Sequence, residues 1–275
     1  MAVLEVRDLT VDLMTGAGVV RAVDGVSFTI EAGETVTVIG ESGSGKSTTA
    51  MALLRLLPDD LAVLSGHARI AGKDVVASRR HIGALRGRTV ALIPQDPMTA
   101  LNPIVTVGKQ MVEAIRLSHR GCSKAEAGRR ALDLLRAVHI TQPERRLKAY
   151  PHELSGGMLQ RVLIAMALST EADLIVADEP TSALDVTVQA GILDLLLEIQ
   201  ERTRAAILLI THDLGVARLM SDRVHVMQAG RFVESGAVED VIDRPQHPYT
   251  RKLLDALPAL GPWDDPAART KETTP

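Results

Sequence analysis

An α/β fold, a mostly parallel sheet with flanking helices, is predicted by two observations in the second half of the chain and a contrast with the first half. Short apolar strand-like runs at 174–177, 206–211 and 223–228 alternate with helical stretches at 156–168, 186–202 and 214–220. Continuous apolar strands separated by helices read as a parallel sheet covered on both faces. Earlier segments have other periods, strand-rich to about residue 76 and helical from Val105 to about Val138. An antiparallel β subdomain and a helical subdomain are therefore expected beside the parallel core.

In chain order, residues 3–13 (VLEVRDLTVDL) roughly alternate apolar and polar side chains, as a half-buried strand does. Val26–Ile30 and Thr35–Ile39 are rich in β-branched residues, and Glu31-Ala-Gly33 between them reads as a turn. Lys46–Leu57 has helical composition and is stopped by Pro58. Gly66–Val76 reads as two short strands turning at Gly72. Ser123 with Glu126 fits a capping box ahead of the amphipathic stretch Ala125–Val138. Gly261–Pro275 holds three prolines and few large apolar groups, the composition of a loose tail.

Composition narrows the function. The 275 residues, 46% hydrophobic and 24% charged, suit one large globular domain or two modest lobes. With 31 basic against 34 acidic residues and a net charge of −3, the basic footprint of a nucleic-acid binder is lacking. Five aromatics (Phe28, Tyr150, Phe232, Tyr249, Trp263) offer little surface for base stacking. The longest apolar runs, Val162–Leu168 and Ala205–Ile210, fall far short of the roughly 18–20 residues of a membrane span. Glu5, Arg7 and Asp8 interrupt any signal-peptide core, so a cytosolic, soluble chain is expected. Cys122 is the single cysteine, which excludes an internal disulfide and a multi-cysteine metal site.

Gly40-Glu41-Ser42-Gly43-Ser44-Gly45-Lys46-Ser47 matches G-x-x-x-x-G-K-[ST], after the strand ending at Ile39 and at the start of a helix with Thr48. Glycines let backbone N–H groups converge on phosphate oxygens, and the helix N-terminus favours the negative charge. Lys46 then reaches the β and γ phosphates, and the Ser47 hydroxyl ligates Mg²⁺. The alternative, a Gly/Ser-rich turn that matches by chance, does not explain the strand–turn–helix context. Leu174–Ala177 runs into Asp178-Glu179, so a buried strand delivers a carboxylate toward the metal. Glu179, one residue beyond, is placed to polarise a water as general base. Alone, that pair could be an acidic turn before Pro180.

Three further signals are Leu154-Ser155-Gly156-Gly157-Met158-Leu-Gln160-Arg161 at a helix start, Gln95 after Val90–Pro94, and His212 after the strand at 206–211. Together these residues resemble the nucleotide-binding subunits of ABC transporters over nearly the whole chain. The resemblance implies a P-loop NTPase core at residues 1–258, with a helical subdomain at about 97–165. It makes Gly40–Ser47 the Walker A motif and Gln95 the Q-loop glutamine. Leu154–Gln160 is similar to the signature sequence, Asp178-Glu179 to Walker B with its catalytic glutamate, Ser182–Asp185 to the D-loop, and His212 to the switch histidine. Ser155, Gly156 and Gly157 form a second helix N-terminus with free N–H groups. In the family that cradle faces the ATP of a partner subunit, so ATP joins two subunits head to tail. The implied metal ligands are Ser47, Gln95 and Asp178, with ATP and Mg²⁺ as cofactors.

Gln95-Asp-Pro-Met-Thr-Ala-Leu-Asn-Pro103 and Arg244-Pro-Gln-His-Pro-Tyr-Thr-Arg-Lys-Leu-Leu-Asp-Ala-Leu-Pro258 resemble the dipeptide, oligopeptide and nickel importer subfamily. The second segment is similar to its His-Pro-Tyr extension, about 241–258, with the loose tail at 259–275. From its residues alone, 244–258 reads as a capped amphipathic helix packed on the body. The resemblance implies an ATPase subunit at the cytoplasmic face of the membrane, working with two permeases and an extracytoplasmic substrate-binding protein. Met158 is similar to the first of two ATPase subunits, which implies a sister ATPase chain, with a homodimer as the alternative. Peptide is the expected cargo, nickel or a metallophore complex the alternative, and a non-transport ABC ATPase the remote one. The chain departs from the family in two ways. Residues 1–27 contain no aromatic to stack on adenine, leaving Val19 or Val20 as an apolar contact, and no cysteine cluster for an iron–sulfur centre accompanies Cys122.

Overall fold

The computed structural model describes residues 2–255 apart from Ala183. The tail at 259–275, the end of the extension at 256–258 and one residue of Ser182–Asp185 lie outside those residues. The strands are β1 (Ala2–Thr15), β2 (Gly18–Glu31), β3 (Thr35–Ile39), β4 (Ala62–Ile70), β5 (Lys73–Asp74), β6 (Val90–Ile93), β7 (Leu174–Asp178), β8 (Ala206–Ile210), β9 (Arg223–Gln228) and β10 (Arg231–Ala237). The helices are α1 (Lys46–Leu53), α2 (Arg79–Leu85), α3 (Pro97–Ala100), α4 (Val107–Ser118), α5 (Lys124–Ala137) and α6 (Pro143–Arg146), then α7 (Gly156–Leu168), α8 (Val186–Thr203), α9 (Leu214–Met220), α10 (Val238–Asp243) and α11 (Pro248–Asp255).

Among the described residues the strands form two sheets. One has the order β10-β9-β3-β8-β7-β6, parallel throughout except for β10 against β9. The other, β2-β1-β4-β5, is antiparallel. Every residue of β3, β7 and β8 is buried. These strands are covered on both faces, which is why they read as unbroken apolar runs. Alternation along them divides the core. Val36, Val38, Val176 and Leu208 face the antiparallel sheet and α1, whereas Ile175, Ala177, Ile207 and Leu209 face α7, α8 and the helical region.

The helical region is built by its caps and stripes. Ser123 Oγ accepts the Glu126 N–H at 3.2 Å and starts α5, which is the N-cap half of the expected capping box, while the Glu126 carboxylate lies 3.5 Å from Arg130. Val107, Met111 and Ile115 of α4 and Ala127, Ala131 and Leu135 of α5 recur at helical spacing and enter the core shared with α7. The helical region expected from Val105 to about Val138 is two helices, the second starting at the expected Ser123 cap after the loop that carries Cys122.

Other differences have local causes. Helix α1 ends at Leu53 rather than reaching Pro58. Arg55 adopts a left-handed φ of 51° while its N–H bonds Ala52 O and the Leu56 N–H bonds Met51 O, a Schellman turn that closes the helix early. The guanidinium of Arg86 covers the freed carbonyls, donating to Leu54 and Arg55. Strand β2 begins at Gly18, well before the β-branched run at 26–30, because its first half pairs with β1 at the tip of a hairpin. The turn at Glu31–Glu34 is present, but it carries the chain from one sheet to the other.

The two sheets are stitched together where aromatic side chains meet. Phe28 of β2 lies 5.5 Å from His225 of β9 and 5.8 Å from Phe232 of β10, and His225 stacks on Phe232 at 4.6 Å and 15°. His225 Nδ1 bonds Ser235 Oγ at 2.7 Å, while Nε2 is buried without a partner. Burial, and then the neighbouring Arg223, push its pKa down from 6.5 to about 4, against a smaller upward pull from Glu34. The unfolded chain therefore takes up a proton near pH 6.5 that the folded chain refuses until about pH 4. Stability is whole above pH 6.5 and is lost as pH falls through that window, by about 3 kcal/mol in total for this residue. Urea unfolding at pH 7.5 and 5 should show this loss, and His225→Phe should remove most of the difference.

Candidate functional site

The carboxyl ends of β3, β6, β7 and β8 lie along one edge of the parallel sheet, where ligands of open α/β sheets bind. Each strand hands over one part of the expected site: β3 leads into Gly40–Lys46, β6 into Gln95, β7 ends at Asp178 before Glu179, and β8 leads into His212.

The glycine loop is wedged between the two sheets. Gly45 has φ 108°, and a Cβ there would stand 2.3 Å from Ala22 O of β2. Gly40 has φ 154°, and a Cβ there would stand 2.2 Å from Met227 O of β9. Only glycine fits either position, so the backbone comes close to its neighbours, and within the loop the Ser44 N–H bonds Glu41 O at 3.2 Å. Ser44 is buried with its hydroxyl unpartnered, a polar atom with spare capacity inside the loop. Ser42, Gly43 and Glu41 are exposed, and Thr48 is half-buried in the first turn of α1.

Lys46 is 4% exposed, and its ammonium donates to the carbonyls of Gly40 at 2.8 Å and Glu41 at 2.9 Å. Burial pushes its pKa down, opposed by the carboxylates of Glu179 and Asp178. Asp178 is pushed up, first by burial and then by Glu179, while the Ser47 hydroxyl and Lys46 pull the other way. Ser47 Oγ donates to Asp178 Oδ1 at 2.8 Å, which brings together two of the oxygens expected to hold a cation. A hydroxyl beside a carboxylate is a donor set for a hard divalent ion that takes its remaining ligands from water and phosphate, so these residues fit Mg²⁺.

Glu179 is the meeting point of the rest. Its Oε2 lies 3.0 Å from Gln95 Nε2 and 3.2 Å from His212 Nδ1. Its backbone is left-handed at φ 45°, a conformation that costs a non-glycine residue free energy, and its N–H is tied to Ile210 O at 2.8 Å. That bond and the turn after β7 swing the carboxylate out of the sheet toward Gln95 and His212. The Glu179 side chain is 14% exposed and that of His212 59% exposed, so the cluster opens to solvent on the histidine side.

The second cradle is elsewhere. Ser155 caps α7, accepting the Met158 N–H at 3.4 Å. Gly156 is exposed, and Gly157 presses on α8, where a Cβ would meet Val188 Cγ1 at 2.5 Å. Gly156 faces Leu184, so this turn packs on the Leu184–Val188 segment rather than on the Gly40–Ser47 loop. Asp185 caps α8 through the Val188 N–H at 3.0 Å. The N-terminal hairpin presents Met14, Val19 and Val20 to solvent at 41%, 63% and 50% exposure, an apolar surface without rings.

Two contacts at the site were not expected from any motif, although one of them comes from the tyrosine of the His-Pro-Tyr segment. Gln189 Nε2 donates to Asp213 Oδ2 at 3.0 Å, while Asp213 Oδ1 caps α9 immediately after His212. Tyr249 of α11 accepts the Glu41 N–H at 3.2 Å, joining the C-terminal helix to the glycine loop. Both depend on residues distant in sequence, so only the fold reveals them.

A family model described as "ABC transporter" matches residues 23–182, and one described as "Oligopeptide/dipeptide transporter, C-terminal region" matches 233–275. The chain is 49% identical over 257 residues to the probable peptide ABC transporter ATP-binding protein y4tR of Sinorhizobium fredii, covering 93% of this chain and 76% of that protein. It is 47% identical over 259 residues to the oligopeptide transport ATP-binding protein OppD of Bacillus subtilis, covering 94% and 72%. Among solved structures, the ATP-binding cassette MJ0796, in a dimeric post-hydrolysis state bound to ADP and Pi, superposes with a TM-score of 0.76 at 28% identity, over 86% of this chain and 98% of that one.

Gly45→Ala should expel the loop from its seat between the sheets. The expected result is a loss of about 2 kcal/mol or more in urea unfolding, together with loss of nucleotide binding in a fluorescence titration.

Proposed function

This chain belongs to the ABC transporter family, and we propose that it is the ATP-hydrolysing subunit of a peptide importer, with Glu179 as general base. The observation that carries the assignment is the convergence of Gln95 and His212 on Glu179 Oε2, one residue beyond the Ser47–Asp178 pair.

The residues divide the work. Backbone N–H groups of Gly43, Gly45, Lys46 and Ser47 receive phosphate oxygens at the start of α1. Lys46, buried and held by two neutral carbonyls, gains a better partner when the phosphates arrive. Ser47, Asp178 and the amide oxygen of Gln95 would hold Mg²⁺, which would offset charge on the phosphate oxygens. Because the Gln95 amide nitrogen already donates to Glu179, its oxygen is left for the cation. Glu179 accepts a proton from the attacking water, and His212 helps Gln95 fix the carboxylate through the same oxygen.

The Ser155–Gly157 cradle is supplied to the ATP of a second ATPase subunit, and Asp185 follows at the same junction. ATP closes the pair and hydrolysis releases it, through the difference in ATP affinity between the two states. Among the described residues no helix is long and apolar enough to cross a membrane. The pathway is accordingly assigned to separate permease subunits, with this chain peripheral on their cytoplasmic side and a binding protein presenting the cargo. The match at 233–275 and the peptide-transport relatives favour peptides as that cargo.

Glu179→Gln should retain ATP binding while steady-state ATPase turnover falls by about a hundredfold or more. Wild-type turnover in that variant would remove Glu179 from its role. Lys46→Ala should weaken ATP binding about tenfold to a hundredfold in an equilibrium titration. Isolation of the tagged chain from its native membranes should recover permeases and a sister ATPase, and the ligand on the co-purified binding protein would identify the cargo.

A further inference from the structure

The His-Pro-Tyr segment has no part in the chemistry described above, yet it ends on the phosphate loop. Glu234 of β10 accepts the N–H groups of Gln246 at 2.7 Å and His247 at 3.2 Å, which fixes the entry to α11. His247 Nδ1 then accepts the Tyr249 N–H at 3.2 Å, and Arg251 Nε returns to Pro245 O at 3.0 Å. This closed turn drives the Tyr249 ring into an apolar cluster with Ile39, Leu214, Val224 and Val226, directly beneath the end of β3. Its hydroxyl emerges at the Glu41 N–H.

The Glu41 residue is thereby held from both sides, its N–H by Tyr249 and its carbonyl by the Lys46 ammonium at 2.9 Å. Lys46 is the group that reaches phosphate, and the peptide unit whose N–H meets Tyr249 carries the Gly40 carbonyl, which accepts the Lys46 ammonium at 2.8 Å, so Tyr249 orients one of the two carbonyls that park it. We propose that Tyr249 is a positioning residue for ATP binding: the C-terminal extension acts as a strut that orders the Glu41 end of the glycine loop and keeps the Lys46 ammonium at the phosphate position. A loop already ordered loses less freedom when the nucleotide binds, and the gain appears as affinity. This rests on the ATP-site reading above, and Lys46→Ala separates the two.

Tyr249→Phe removes one oxygen and keeps the ring that fills the cluster. In the transporter purified with its membrane partners, the KM for ATP should rise about fivefold while kcat stays within about twofold, the loss expected for one neutral hydrogen bond. Amide hydrogen exchange at Glu41 should quicken in the same variant, and the urea unfolding midpoint should move little. A role confined to packing would leave both KM and Glu41 exchange at wild-type values, and that result overturns the proposal. So does a fall in kcat at constant KM. If Lys46→Ala binds ATP as tightly as wild type, the ATP-site reading itself fails and the strut falls with it.

Discussion

Two main-chain carbonyls, those of Ala22 and Met227, close on the glycine loop from opposite sides, and the rest of the molecule is arranged to keep them there. One belongs to the antiparallel sheet and the other to the parallel one. The loop can occupy its seat only while the two sheets hold their relative position. The aromatic contact of Phe28 with His225 and Phe232 maintains that position beyond the loop, and the shared core of β3, β7, β8 and α1 maintains it below. A phosphate site of this kind belongs to the junction of two sheets as much as to the eight residues of its motif.

The electrostatics of the junction follow from the same closeness. Burial disfavours the charged forms of both Lys46 and Asp178, and each is the other's partial remedy. Neither is fully compensated by the protein alone, since Lys46 rests on uncharged carbonyls and Asp178 on a hydroxyl. In the proposed function an anion at the loop and a cation beside Asp178 would complete them together.

Much of this site was legible because motif chemistry is local. Gly40–Ser47 had to follow a strand and open a helix, and a buried apolar run ending in Asp178 had to deliver its carboxylate to the same sheet edge. Gln95 and His212 could be tied to Glu179 only through family resemblance, because nothing in their own neighbourhoods marks them. Strand β10, helix α10 and the first half of β2 lacked a clear period and were not expected. The two strand segments are mostly exposed or half-exposed at sheet margins, where alternation is weak, whereas α10 buries Val238, Val241 and Ile242 but at six residues is too short to establish a period. The His-Pro-Tyr resemblance marks Tyr249 but not its partner, and nothing marks Gln189 or His225. The contacts of Tyr249 with Glu41, of Gln189 with Asp213 and of His225 with Phe28 join residues far apart along the chain, and periodicity carries no information about such pairs.

Glu179 combines a left-handed backbone with the carboxylate on which Gln95 and His212 converge. Glycine at that position would relax the backbone, and asparagine would tolerate it better than glutamate does. A library screened only for stability would therefore favour replacing this residue, and with Glu179 in its proposed role as general base the survivors would be sturdier and inert.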